Sequence, residues 1–140
     1  MNKEKTIQDY QEENEFLCQR LGMPFPLEYI PLRHRKICCL CGSSKYKDEF
    51  MELAARLTVE GKIVVMPHIF CHSDKIEILQ NTKERLDFLH RSKIELSDEV
   101  HIVHAEYIGD STKEEIRYAE KWHRPIIRHY AGEYPINFNG

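Results

Sequence analysis

The stretch DEVHIVHAEYIGDSTKEEIRYAEKWHRPII, Asp98 to Ile127, reads as a strand, a loop, a helix and a second strand. EVHIVHA is an apolar run of strand length, and PII follows Arg124-Pro125, a pair that a helix does not run through. Two strands joined by a helix lie parallel, and the loop leaving the first strand then opens at the ligand crevice of an α/β sheet. That loop holds Gly109, Asp110, Ser111 and Thr112. The spacing predicts a helix opening on Glu114 and Glu115, with Ser111 and Glu114 forming a capping box. Glu115 is left as the acid with no structural duty, at a helix start whose free N–H groups face the crevice. Acids also favour the first helical turn for the dipole alone, so this stretch by itself weighs the two readings about evenly.

The same pattern recurs upstream. Lys36 to Cys41, KICCLC, is a continuous apolar run suited to a strand buried on both faces, and Gly42-Ser43-Ser44 ends it. YKDEFMELAARLTVEG then spaces Phe50, Leu53, Ala54 and Leu57 on one helical face and stops at Gly61, after which GKIVVMP gives a second buried strand. From Pro67 to Thr82 no period is visible; a loop of that length, carrying His68, Cys71, His72 and Asp74, reads as a lid or pocket wall. The helix from about Lys83 to Leu96 is expected to turn Leu86, Leu89, Lys93 and Leu96 inward, flanked by Phe88 and Ile94. Asp87, His90 and Arg91 then share a neighbouring face as mutual partners. In the last helix Ile116, Ala119 and Trp122 face inward. The order predicts an α/β fold: a Rossmann-like (flavodoxin-like) doubly wound parallel sheet of four to five strands, helices on both faces, and a crevice between the Gly42 and Gly109 loops. Ahead of it, Thr6 to Leu21 carries an imperfect helical stripe, and MPFPLEYIPL, with its three prolines, is extended. Residues 1–33 thus form a helix and Pro-rich arm, 34–130 the main domain and 131–140 a tail.

The composition narrows the partners. A chain of 140 residues makes one core without help from disulfides or metals. With 20 basic against 23 acidic side chains and a net charge of -3, it carries no electrostatic signature of nucleic-acid or membrane binding. Five cysteines, three of them crowded at Cys38, Cys39 and Cys41, make a poor disulfide framework and point to reduced thiols in a cytoplasm.

KICCLCGSS, EGKIVVMP, LHRSKIELSDEVHIV and YIGDSTKEEIRYAEKWHRPI together resemble the nucleoside 2-deoxyribosyltransferase superfamily, which includes the deoxyribosyltransferases and the 2'-deoxynucleoside 5'-monophosphate N-glycosidases. The resemblance runs in order and spacing from about Lys36 to Arg128. Its most specific part ends in EIRYA, where the family carries its nucleophilic glutamate, and so implies that Glu115 is catalytic. A similar loop, Gly-x-Gly-Thr-x-x-Glu, occurs in the phosphoribohydrolases that release cytokinin bases; Gly109, Thr112 and Glu115 match it, with Ser111 at the second glycine. Two departures stand out. Family members usually carry an aspartate eight positions before the one that opens the next strand, and counting back from Asp98 gives His90. The Gly42 loop offers Ser43, Ser44 and Lys45 in place of the glycines and arginine that hold phosphate in the monophosphate hydrolases.

The resemblance implies hydrolysis or transfer at the N-glycosidic bond of a nucleoside or nucleoside 5'-monophosphate, with no cofactor. A carboxylate under the anomeric carbon stabilises or traps an oxocarbenium-like sugar, the role of Glu115, and an imidazole suits protonation of the departing base, the role of His90. A surface histidine paired with Asp87 is an equally weighted reading of His90. Gly42, Ser43, Ser44, Lys45, Asp87, Gly109, Asp110, Ser111 and Thr112 are candidates for holding sugar hydroxyls or phosphate. Tyr46, Phe70 and Tyr107 are candidates for sandwiching a base, though such rings more often cover core edges. No metal is assigned: His68, Cys71 and His72 lack a strong zinc spacing, and Cys38 points to the opposite strand face from Cys39 and Cys41. A different class remains open, a catalytically weak nucleotide-binding or sensing module on the same fold, as does an interaction subunit whose arm is the working part.

Phe25, Tyr29 and Ile30 make the arm more apolar than a solvated linker, so it lies across its own domain or a second subunit. The resemblance implies a homodimer or dimer of dimers. Deleting residues 1–32 is expected to reduce the number of subunits weighed by light scattering; unchanged mass and activity would show that the arm neither builds the oligomer nor completes the site.

Overall fold

Four parallel strands form the sheet in the computed structural model: β1 (Ile37–Cys41), β2 (Ile63–Val65), β3 (Glu99–Ile102) and β4 (Ile126–Arg128), in the order β2-β1-β3-β4. The structure describes residues 6–9, 12–13 and 35–132. It divides into two units, Met1–Arg35 and Lys36–Gly140. Of the first unit, residues 7–9 and 12–13 are helical. Thr6 and Asp9 cap that helix reciprocally: the Thr6 N–H donates to Asp9 Oδ2 at 2.8 Å and the Asp9 N–H to Thr6 Oγ1 at 3.1 Å. The rest of the helix expected to reach Leu21, the Pro-rich arm and residues 133–140 lie outside the described residues.

In the second unit, α1 (Lys47–Val59) joins β1 to β2, α2 (Gln80–Leu96) precedes β3, and α3 (Asp110–Lys121) joins β3 to β4. The period of two along β1 divides the core. Cys38 and Leu40 pack with Phe50, Leu53 and Leu57 of α1, while Cys39 and Cys41 pack with Ile94 of α2 and Ile116 and Ala119 of α3. Each large apolar side chain fully buried there contributes about 1.5 to 3 kcal/mol, which is why the short strands hold. β1 and β3 are adjacent without being consecutive, paired from Cys38↔Glu99 to Cys41↔Ile102, so the chain changes winding direction between them. No helix among the described residues is long and apolar enough to cross a membrane.

Two helices differ from the sequence reading. Helix α2 begins at Gln80, and it buries His90 and Ile94 while Phe88, Leu89 and Leu96 are 62%, 55% and 61% exposed. Its rotation follows its neighbours: Cys41 receives His90, and that contact outweighs the leucine stripe. Helix α3 begins at Asp110 with Gly109 as its N-cap, and no side chain caps it. Glu114 pairs with Arg117 instead, so the expected capping box does not form. Trp122, expected inward, follows the helix and is 42% exposed.

On the α1 side of β3 the sheet buries a polar chain. Cys38 Sγ lies 3.3 Å and His101 Nε2 3.0 Å from Glu99 Oε1, and His101 Nδ1 meets His129 Nε2 at 2.7 Å. Burial opposes ionisation of Glu99, but the hydrogen bonds from His101 and Cys38, with the charges of His101 and Lys36, take its carboxyl down to about 2. Burial and then the Glu99 contact push the Cys38 thiol up to about 12.

Gly42 leaves β1 at φ +153°, and a Cβ there would meet Val103 O at 2.9 Å and Val103 Cβ at 3.2 Å. Gly42→Ala is expected to cost about 1 to 3 kcal/mol, because the strained backbone and the β3 contact cannot both be kept. Urea denaturation measures it, and an unchanged midpoint would contradict the close approach.

Candidate functional site

A cavity of about 480 Å³ opens beyond the carboxyl ends of β1 and β3, at the point where the winding reverses. Three loops and two helices build it. The β1–α1 loop supplies Gly42, Ser43, Ser44 and Lys45; the β3–α3 loop and the start of α3 supply Tyr107, Gly109, Asp110, Ser111, Thr112 and Glu115; α2 supplies Asp87 and His90. The segment between β2 and α2 forms a wall with Pro67, His68, Ile69, Cys71 and His72.

Glu115 sits farther into its helix than the sequence suggested, as the sixth residue counted from Asp110. Helical side chains lean toward the N-terminus, which carries its carboxyl back to the crevice floor. Glu115 Oε2 lies 3.6 Å from His90 Nε2, with the two side chains 20% and 9% exposed. His90 Nε2 is also 3.2 Å from Cys41 Sγ. Helix α2 meets strand β1 and helix α3 through these three residues.

The charges follow from the burial. Burial pushes the Glu115 carboxyl up to about 8; the Cys41 thiol works against this, Asp87 adds to it and Lys83 opposes it. Burial, then the Lys93 charge, takes His90 down to about 4 against the pull of Asp87. At neutral pH the 3.6 Å contact therefore joins a protonated carboxyl to a neutral imidazole, and it is not an ion pair. Cys41 Sγ and Nε2 of the neutral His90 ring share one hydrogen bond. The Cys39 contact, burial and Glu115 all push the Cys41 thiol well above its ordinary value. Among the described residues, Glu115 Oε2 and His90 Nδ1 are buried without a hydrogen-bond partner.

Of the residues singled out in the sequence, all but two line this cavity. Tyr46 does not: it stacks on His104 with centroids 3.8 Å apart, and His104, at φ 51°, is held by Glu49 at 2.7 Å. Phe70 does not either, because it turns into the core against Phe50 at 5.1 Å. Only Tyr107 of the three rings faces the cavity, with Lys45 Nζ 4.6 Å from its centroid. His90 is buried against Cys41 and is not a surface partner of Asp87, which pairs with Lys83 at 2.7 Å. His72 bonds Ser44, and His68 lies 3.4 Å from Lys93 Nζ, so the loop histidines are engaged separately. Sequence reasoning missed Lys83 and Lys93, which bring positive charge to the cavity wall. Each sits four residues from another cavity residue on α2, Lys83 from Asp87 and Lys93 from Leu89, and that spacing was the available signal. Compared with known proteins, the chain matches no protein-family model and no curated protein.

The two perturbed groups give stability opposite slopes. Glu115 titrates higher when folded, so its contribution is complete below its unfolded value of 4.5 and is lost as pH rises through about 8. His90 titrates lower when folded, so its contribution is complete above 6.5 and is lost as pH falls through about 4. From pH 6.5 to 8 only the Glu115 slope remains of the two. In metal-free protein Glu115→Gln is expected to flatten the wild-type fall in Tm across that window. Parallel Tm curves for the two proteins would show that the carboxyl is ionised throughout.

Proposed function

We propose that the protein hydrolyses or transfers at the N-glycosidic bond of a nucleoside or nucleoside 5'-monophosphate, within nucleotide metabolism, with Glu115 as the group that meets the sugar. The observation that carries this reading is a carboxyl at the floor of the crevice, buried, with one oxygen lacking a hydrogen-bond partner and an imidazole 3.6 Å away. A developing oxocarbenium ion is the kind of partner that such a carboxyl lacks. In the forward step a Glu115 oxygen bonds to C1′ as the C1′–N bond breaks and its electron pair leaves with the base. The proton that Glu115 gives up passes to His90 and on to the base nitrogen. Water, or a second base, then attacks C1′ and restores the glutamate. Hydroxyls of Ser43 and Ser111, and the N–H groups where α1 and α3 begin, suit sugar hydroxyls or a phosphate, with Lys45 and Lys83 as counter-charges.

A second reading, a nucleotide-binding or sensing module, is favoured by one observation: burial pushes both central groups toward their neutral forms. A neutral carboxyl binds a ligand by hydrogen bonds without attacking it.

A panel of nucleosides and their 5'-monophosphates, incubated with chelator-treated protein and analysed by chromatography, is expected to yield free or exchanged base. No base from any member sinks the enzyme reading, and thermal stabilisation without turnover establishes the binding one. Glu115→Gln is expected to lose at least about 100-fold in kcat/KM, the scale of a positioned catalytic group, with folding kept. Because the step starts from protonated Glu115 and hands that proton to the base, wild-type kcat/KM should be level below about 8 and fall as pH rises through it. A rate that rises over that range would make the free carboxylate the working form instead.

A further inference from the structure

We propose that Cys39, Cys41 and His90 form a buried site for a soft divalent cation of the zinc class, with its open position toward Glu115 and the cavity. Their three donor atoms, two Sγ and one ring nitrogen, all lie within 4.8 Å of one another, and all three residues are buried. Ligands at zinc distances of about 2.3 Å for sulfur and 2.0 Å for nitrogen stand roughly 3.5 to 3.8 Å apart around a tetrahedron. The 3.2 Å from Cys41 Sγ to His90 Nε2 is within a small side-chain adjustment of that spacing. Residues 39 and 41 share one strand face by the period of two, and His90 reaches them because α2 turns it inward.

A second observation points the same way. Glu115 Oε2, 3.6 Å from His90 Nε2, is a buried oxygen with no hydrogen-bond partner among the described residues, placed where a fourth ligand or the partner of a bound water belongs. The charges balance without it: two thiolates, a neutral imidazole and a divalent cation sum to zero, which suits a buried floor. Binding releases the two thiol protons to solvent, so affinity rises with pH. Ligation through Nε2 takes the tautomer with hydrogen on Nδ1. Thiolate with imidazole selects zinc over magnesium or calcium. The similar-looking group of Cys38, Glu99 and His101 carries no such inference, since Lys36 lies 3.5 Å and Lys62 3.8 Å from its carboxylate and already balance that charge.

This site goes beyond the N-glycosidic reading and does not need it. An ion there withdraws His90 and faces the Glu115 carboxyl, so metal loading and N-glycosidic turnover exclude each other.

The test uses the full chain, reduced and stripped with chelator, with cobalt(II) and zinc as probes and no nucleoside present. One cobalt per chain is expected, with a thiolate-to-cobalt charge-transfer band that zinc abolishes by displacement. Cys39→Ser and Cys41→Ser should lose the band, and Cys71→Ser should keep it. Because the strand cysteines are core residues, His90→Ala gives an independent reading: zinc should raise the Tm of wild type and leave that of His90→Ala unmoved. The proposal is overturned by absence of both the band and the Tm rise in wild type, by a band that Cys71→Ser removes, or by an equal zinc-induced Tm rise in His90→Ala.

Discussion

The pairing of β1 with β3 is the constraint on which the rest depends. It is fastened at both ends: Asp98 N donates to Ile37 O at 2.7 Å while Asp98 Oδ2 accepts from Ile37 N at 2.7 Å, and Val103 N donates to Cys41 O at 2.8 Å. Asp98 thus takes part twice, as backbone and as side chain, and sets the register at the start of both strands. With that register, Gly42 passes against Val103 and the two loops beyond are held apart as the walls of one crevice. A slip of one residue would exchange the faces of every side chain on β1 and carry Cys41 away from His90.

The two faces of this strand pair treat buried polarity differently. On the α1 side, Glu99 is satisfied by Cys38 and His101 and flanked by lysines, so a charged carboxylate is stable there. On the α2 and α3 side, Cys41, His90 and Glu115 meet with no ion-paired cation among the described residues, and each is pushed toward its neutral form. The first arrangement is closed and structural. The second is incomplete, which is why the functional argument belongs to it.

Much of this was legible in the sequence. The apolar runs KICCLC and EVHIV located the central strands, the helical period of Phe50, Leu53 and Leu57 located α1, and glycine after each strand located the crevice. What failed was the rotation of α2. A stripe of leucines gives a hydrophobic face, but here the burial of His90 against Cys41 and of Ile94 in the core sets the phase, and those contacts span 49 residues or belong to the tertiary core. The helix start at Asp110 was missed for a related reason: a glycine N-cap leaves no side-chain signature, and the acids that seemed to mark the first turn lie in the second. Phe70 and Tyr46 stood beside glycine turns in sequence, yet a ring in a loop can be drawn into the core or held by a neighbour, and local sequence does not distinguish these.

Glu115 is best understood as a latent charge. With its carboxyl titrating at about 8, ionising it at pH 7 costs about 1.4 kcal/mol, one unit of displacement. A single positive charge about 4 Å away, at the effective dielectric of a partly buried protein site, returns roughly 4 kcal/mol. The second quantity is larger, so a cation arriving at the crevice floor ionises the glutamate, and without one it stays neutral. The site is thereby uncommitted in the free protein and answers to the charge that enters it. An oxocarbenium-like sugar is such a charge, whereas a divalent metal held by the two thiolates arrives with its charge already balanced. They differ in what they ask of His90: the sugar reaction uses it to carry a proton, and the metal takes the lone pair that would carry it.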